Sequence, residues 1–262
     1  MSITDGNSEK FINIYNELDN YMRKQLNSDE WTTHTDLIKK ITEKNKIFKR
    51  YKHELKSFAN LRNAIIHNPD TLSAKTIAEP HDNIVKKYRE IKNYVMNPPN
   101  ALDTIAINTN NIYTTQMDAM ALNVMREMNK NTYTHVPVVE NGHLVGVFSE
   151  NTIFSYIVKN EDVIIESEML IKEFADFIPL NNHESEYFVF VPKNTLVTEI
   201  EEMFQNGLKD KKRISVIFIT QNGKENEKLL GLITAWDLAG YLGNWGWCIY
   251  EYSRMDERAN SI

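Results

Sequence analysis

GLITAWD, residues 231–237, ends one kind of pattern and begins another. Before it stands the β-branched and apolar run LLGLIT (229–234). After it comes AWDLAGYL (235–242), which has the spacing of a short amphipathic helix. Threonine, two residues, then aspartate at a strand-to-helix junction is a capping pattern. Thr234 can accept from the amide near Asp237, and the acid suits the positive start of a helix. The same geometry suits a ligand. Free amides at a helix start bind phosphate, and the Thr234 hydroxyl adds a donor. An ionised Asp237 is acceptor-only, so it can take both hydroxyls of a ribose. On the residues alone, both readings stand.

The order of elements around this junction occurs twice. KNTLVTEIEEMFQNGLKD (193–210) predicts a helix with Val197, Ile200, Met203 and Phe204 inward. ISVIFIT (214–220), the turn-rich QNGKENEK (221–228) and LLGLIT then predict strand, turn and strand. Earlier, TQMDAMALNVMREMNK (115–130) predicts a helix with Met117, Met120, Ala121, Val124 and Met128 inward. HVPVV (135–139) and HLVGVF (143–148) predict a hairpin around ENG (140–142), and NTIFSYIV (151–158) a closing helix. This is an internal repeat of strand, helix, strand, strand, helix. One copy would leave a sheet face uncovered, so two should pack together.

Over about residues 101–242 the repeat resembles a tandem pair of CBS domains, the family named after cystathionine β-synthase. The motif that carries the resemblance is glycine, two apolar residues, Ser or Thr, two variable residues and Asp. GLITAWD has it in full. The first copy reads GVFSENT (146–152), with Gly146 and Ser149 present but Thr152 in the aspartate position. The resemblance implies an α+β pair that binds an adenine nucleotide of the AMP, ADP or ATP type, or a related adenosyl ligand, in the cleft between its units. Carried onto this chain, it implies a site at Thr234 and Asp237, with Arg213 reaching the phosphates. It also implies a weaker second site at Ser149 and Thr152, because Thr152 cannot match a carboxylate's acceptance from a diol. His135 receives no role.

The residues before the repeat read as helices. EKFINIYNELDNYMRKQL (9–26) places Phe11, Ile14, Tyr15, Leu18, Tyr21, Met22 and Leu26 on one face. Residues 33–67 continue the helical period and predict two further helices, and DNIVKKYREIKNYVM (82–96) another. NPPNA (97–101) stops the pattern. The expected fold class is therefore multidomain, an all-α helical bundle followed by an α+β pair. The expected domains are 1–97, 98–160, 161–243 and an aromatic tail, 244–262. Charge divides the same way. Residues 1–98 carry 17 Lys+Arg against 13 Asp+Glu, and the remainder 13 against 23. A separate role for each half is one account, and two domains of different ancestry is another.

LRNAIIHNPD (61–70) holds the other candidate chemistry. Arg62 falls inside the apolar arc of Leu55, Phe58, Leu61 and Ile65, so its guanidinium needs an acid, an anion, a second subunit or a route to solvent. Asn63 and His67 share a neighbouring face, and Asn68-Pro69 stops the helix. A structural ion pair for Arg62 and carbonyl contacts for His67 account for these residues without catalysis. A helical bundle with Arg-Asn-x-x-x-His near a helix end also resembles the HEPN superfamily (higher eukaryotes and prokaryotes nucleotide-binding) over residues 1 to about 97. That resemblance implies a metal-independent endoribonuclease with its active site at a homodimer interface. Arg62, Asn63 and His67 would be catalytic, RNA a partner, and no catalytic cofactor needed. Histidine can move the protons of 2′-hydroxyl attack, and a guanidinium can hold the charge that develops on phosphorus. The basic run from Lys39 to Lys56, interrupted by Glu43 and Glu54, can guide an RNA backbone or be only a solvated helix face. Adenine nucleotide at the pair would regulate the activity. The alternative is a nucleotide-sensing protein without catalysis, whose helical domain mediates dimerisation or partner binding.

The whole chain narrows the remainder. With one cysteine, Cys248, no internal disulfide or cysteine-based metal site can form, and no metal-ligand cluster is visible in the spacing. The opening residues MSITDGNSEK lack an apolar core, and no run approaches the length of a membrane helix. These features predict a cytoplasmic protein without membrane contact. Lys, Asn and Ile richness suggests a bacterial source. The aromatic tail, with Trp245, Trp247, Tyr250 and Tyr252, is expected to cover the sheet.

Overall fold

The computed structural model describes residues 6–66, 78–160, 164–209 and 211–244. The aromatic tail beyond 244 and His67 lie outside them. The chain divides into two compact units, Met1–Pro99 and Asn100–Ile262.

The first unit is helical: α1 (Asn7–Leu26), α2 (His34–Lys44), α3 (Lys46–Arg50), α4 (Lys52–Ile66) and α5 (Asp82–Met96). Where the apolar period predicts two helices between 33 and 67, three form. The cause is Asn45, whose side-chain oxygen accepts from the amides of Ile47 and Phe48 and so starts a new helix. Tyr51, buried at the next junction, has a non-helical backbone and separates α3 from α4. The start of α1 is satisfied from a distance, because the Glu79 carboxylate accepts from the amides of Asn7 and Ser8. The rings of Phe11, Phe58 and Tyr88 meet at 4.4–6.0 Å and join α1, α4 and α5. Each of the two phenylalanines contributes about 1.5–3 kcal/mol by burial.

The second unit begins with α6 (Ala101–Thr104) and β1 (Ile107–Asn108). The first repeat continues with α7 (Ala121–Asn131), β2 (His135–Glu140), β3 (His143–Ser149) and α8 (Glu150–Lys159). The second has β4 (Glu186–Pro192), α9 (Val197–Gln205), β5 (Leu208–Lys209), β6 (Lys212–Thr220), β7 (Gly231–Ile233) and α10 (Ala235–Asn244). β2 and β3 form the expected hairpin. Its turn is Asn141-Gly142, both at positive φ (51° and 79°), as a two-residue turn matched to strand twist requires. α7 is shorter at its start than its apolar period suggests. Met120 bridges Leu170, and the Ala121 amide donates to Met169 O, so residues 115–120 are spent on tertiary pairing instead of a first turn.

The larger sheet runs β1–β7–β6–β4, with β5 on β6. Its edge strand β1, from the segment ahead of α7, pairs antiparallel with β7, while β2 and β3 of the first repeat form a separate two-stranded sheet. Between the repeats lies a dedicated core. Leu144 and Val147 of β3 pack with Val216 and Phe218 of β6 and with Leu229 and Leu232. This core fixes β3 and β7, and with them the starts of α8 and α10. The glycine of the first motif has a packing cause. A Cβ on Gly146 would lie 2.2 Å from Ile178 O, the same carbonyl that accepts from the Val147 amide. Gly146→Ala is expected to lower unfolding free energy by about 1–3 kcal/mol, from the overpacking. Urea denaturation measures it, and an unchanged midpoint would contradict this packing.

Candidate functional site

Between the repeats a cleft of about 500 Å³ opens above the shared core. Its floor is apolar, with Val147, Val216, Phe218 and Leu232. Its walls are the segment carrying Asn111, Ile112 and Tyr113 and the turn from Asn131 to His135. Tyr113 and Tyr133 stack at 5.9 Å with an 18° interplanar angle. At its far end stand Thr234 and Trp236, on the junction of β7 with α10, and the Trp236 side chain is 82 % exposed. The volume is within the range of small-molecule sites, about 300–1,000 Å³, and an apolar floor with a few polar groups at the rim is their usual make-up.

The GLITAWD junction is capped, but in the opposite sense to the sequence expectation. The Thr234 amide and hydroxyl both donate to Asp237 Oδ2, each at 2.7 Å. One oxygen thus fixes the threonine, while Asp237 Oδ1 accepts no hydrogen bond among the described residues. Capping and ligand binding therefore do not compete for the same atom. Arg213 is exposed on β6, in register with Glu186 and Leu208, and is not part of the cleft wall. The polar groups that face the cleft are Asn111, Asn131, Thr132, Thr134 and His135.

The start of α8 is the counterpart position, and it is closed. Ser149 and Thr152 are 0 % and 1 % exposed and cap each other. The Thr152 amide donates to Ser149 Oγ at 3.1 Å, and the Ser149 amide to Thr152 Oγ1 at 3.1 Å. Ser149 Oγ in turn donates to Glu186 Oε1 at 2.9 Å. Glu186 is 1 % exposed and collects further donors: His183 Nδ1 on Oε1, and His135 Nε2, Asn151 Nδ2 and Ser215 Oγ on Oε2, all at 2.8–2.9 Å. Burial opposes ionisation of this carboxyl. The hydrogen bonds from His135 and His183, the charge of His135 and the Asn151 amide outweigh it and hold the carboxyl well below the usual carboxylate range. His135, which the sequence left without a role, both lines the open cleft and ties it to the closed position. Glu186 itself left little signal, since an acid at the head of the apolar strand EYFVFV reads as a strand boundary.

The CBS domain family model matches residues 105–159 and 184–244. The second unit is a tandem CBS domain pair. No curated protein matches the chain. Among solved structures, a hemolysin-like protein containing a CBS domain from Oenococcus oeni PSU is 18 % identical, with 57 % of this chain and 93 % of that one covered and a TM-score of 0.38. The CBS domain pair of protein MJ0100, in complex with 5′-methylthioadenosine and S-adenosyl-L-methionine, is 15 % identical, with 57 % and 99 % covered and a TM-score of 0.39. CBSX2 in complex with AMP is 12 % identical, with 56 % and 97 % covered and a TM-score of 0.39.

The helical unit lies outside both CBS matches. Arg62 is half-buried on α4. Its guanidinium lies 5.0 Å over the Tyr15 ring, and Nη1 is 3.4 Å from Asn63 Oδ1. Among the described residues it forms no ion pair with an acid, and its buried Nε has no partner. Asn63 is exposed. Arg62 shares an open polar cleft with Tyr15, Asp19, Arg23 and His34. Asp19 links this group, accepting from Arg23 Nε at 2.6 Å and bonding His34 Nδ1 at 2.7 Å. The His34 ring stacks on Tyr15 at 3.9 Å. Burial pushes the His34 pKa down, against the bond and charge of Asp19. The sequence missed this group. Its one local trace is the Asp19–Arg23 pair, four apart on α1. Among the described residues, no helix is long and apolar enough to cross a membrane.

Because the folded Glu186 carboxyl ionises below its ordinary value, the unfolded chain binds more protons than the folded one between the two values. Its stabilisation is complete above the ordinary glutamate pKa, about 4.3, and is lost as pH falls from there through the folded value. Urea midpoints measured from neutral pH downward should fall more steeply in the wild type than in Glu186→Gln. Parallel pH profiles would contradict the assignment.

Proposed function

We propose that the CBS pair is an adenine-nucleotide sensor with its ligand in the open cleft. The observation that carries this is the ending of a roomy, apolar-floored cleft at a helix start where Thr234 is already fixed by one oxygen of Asp237. The other oxygen, Oδ1, accepts from the ribose hydroxyls. The purine lies against the aromatic surface of Trp236 and Tyr133. The phosphate meets the first amides of α10, which have no intrahelical acceptor. The neutral donors Asn131, Thr132 and Thr134 suit one phosphate, so an AMP-type ligand fits best. The family match supports the reading, and the motif carries it residue by residue onto Thr234 and Asp237. The helical unit is then the output element, which responds only where the ligand prefers one arrangement of the protein over another.

A specific feature of the helical unit supports a second reading, a metal-independent ribonuclease regulated by that ligand. Arg62 has an unpartnered buried Nε on the wall of a polar cleft that also holds an imidazole paired with a carboxylate. In this reading Arg62 holds the negative charge of a phosphodiester under attack by the 2′-hydroxyl. Histidine, His67 or His34, moves the proton, and a second copy of the chain completes the site.

Calorimetric titration with AMP is expected to show binding by the wild type. Asp237→Ala should weaken it about 10-fold or more, as the loss of a charged hydrogen-bond acceptor does. Unchanged affinity in Asp237→Ala would rule out the ribose contact. For the second reading, purified protein incubated with RNA in chelator should cleave it, and Arg62→Ala should not. Equal cleavage by both would remove Arg62 from the chemistry, and none by the wild type would leave the sensor alone.

A further inference from the structure

The two helix starts of the CBS pair occupy the same place in their repeats, as Gly146-x-x-Ser149-x-x-Thr152 and Gly231-x-x-Thr234-x-x-Asp237. At α10 the junction faces the open cleft. At α8 a side chain of the protein itself stands at the junction. Ser149, the counterpart of Thr234, and Asn151, the counterpart of Trp236, both donate to the Glu186 carboxylate. The geometry points to Glu186 as a built-in anionic occupant of the first site, which closes that site and leaves the pair with one nucleotide per chain.

Three features carry this. The carboxylate is almost wholly removed from solvent, yet every described contact of its oxygens is a donor, five in all. An ionised carboxylate leaves water only where such donors compensate it. The donors also come from both repeats. His135, Ser149 and Asn151 belong to the first, Ser215 to the second, and His183 to the segment ahead of β4, so the group they enclose lies at the junction of repeats as a ligand would. Finally, the missing aspartate of the first motif is accounted for. Thr152 is buried and its hydroxyl points to Val147 O, which leaves no acceptor for a diol, while a carboxylate supplied by β4 takes the donors. The stoichiometry of one rests on the nucleotide reading of the open cleft. The occupancy of the closed site by Glu186 does not.

The test separates the two. Glu186→Ala removes the carboxylate and one methylene, a fragment close to acetate in size and charge, and leaves its donors facing a cavity. His135, Asn151 and Ser215 are only half-buried, so small anions have a short route in. The thermal midpoint of this variant is expected below that of the wild type, and to rise by several degrees in sodium acetate relative to sodium chloride at equal ionic strength. The wild type and Glu186→Gln, whose sites remain filled, should respond equally to both salts. Where the alanine variant does not fold, Glu186→Ser, which keeps one oxygen for the donors, takes its place. No acetate-specific rise in either variant overturns the inference. In parallel, AMP calorimetry on the wild type should give one site per chain. Two sites overturn the inference. No binding overturns the nucleotide reading of the open cleft, and the acetate result then decides Glu186 by itself.

Discussion

A single buried carboxylate sets the character of the CBS pair. Glu186 sits at the head of β4 with almost no solvent contact, and its ionised form is held by hydroxyl, amide and imidazole donors from both repeats. A charge so placed is costly unless every lone pair is used, and removing one donor leaves part of that cost exposed. The network therefore constrains β2, the start of α8, β4 and β6 together. It acts beside the apolar core of Leu144, Val147, Val216 and Phe218, which supplies attraction between the repeats without specifying their register.

The consequence is a pair whose halves share a pattern but differ in state. At α8 the helix start, its cap and its nearest donors are consumed internally. At α10 the cap uses only one oxygen of Asp237, and the remaining groups face a cleft of about 500 Å³. His135 belongs to both, with Nε2 on Glu186 and its ring on the cleft wall. An event in the open cleft that moved this ring would act on a buried charge held by five donors. That is a physical route by which ligand occupancy and the packing of the repeats are linked.

Much of this was legible in the sequence where the determinants are local. Asn141-Gly142 between β-branched runs gave the hairpin, and the two Gly-x-x-Ser/Thr junctions gave the repeat and its family. The break at Asn45 was not legible, because the apolar period runs on across it and only the side chain's choice of amides reveals a new helix. Met117 and Met120 fit a helical face by spacing, yet tertiary pairing with the 169–172 segment takes their turn. Glu186 was invisible for a different reason. Four of its five partners lie 29 to 51 residues away along the chain, and the fifth, His183, three residues before it, does not by itself mark a buried carboxylate. In the helical unit, Arg62 stood out as a charge in an apolar arc. Its actual neighbours, Tyr15, Asp19 and His34, come from α1 and α2 and appear only when the bundle packs.

The central claim is that one junction of the CBS pair is open to a nucleotide and the other is occupied by the protein's own carboxylate. A crystal structure of the full chain grown with AMP tests it most directly. The account predicts one nucleotide per chain, its ribose hydroxyls on Asp237 and its base against Trp236 or Tyr133, with Glu186 still bonded to Ser149 and Asn151. A nucleotide at Ser149 with Glu186 displaced, or a ligand elsewhere with the open cleft unfilled, would contradict it.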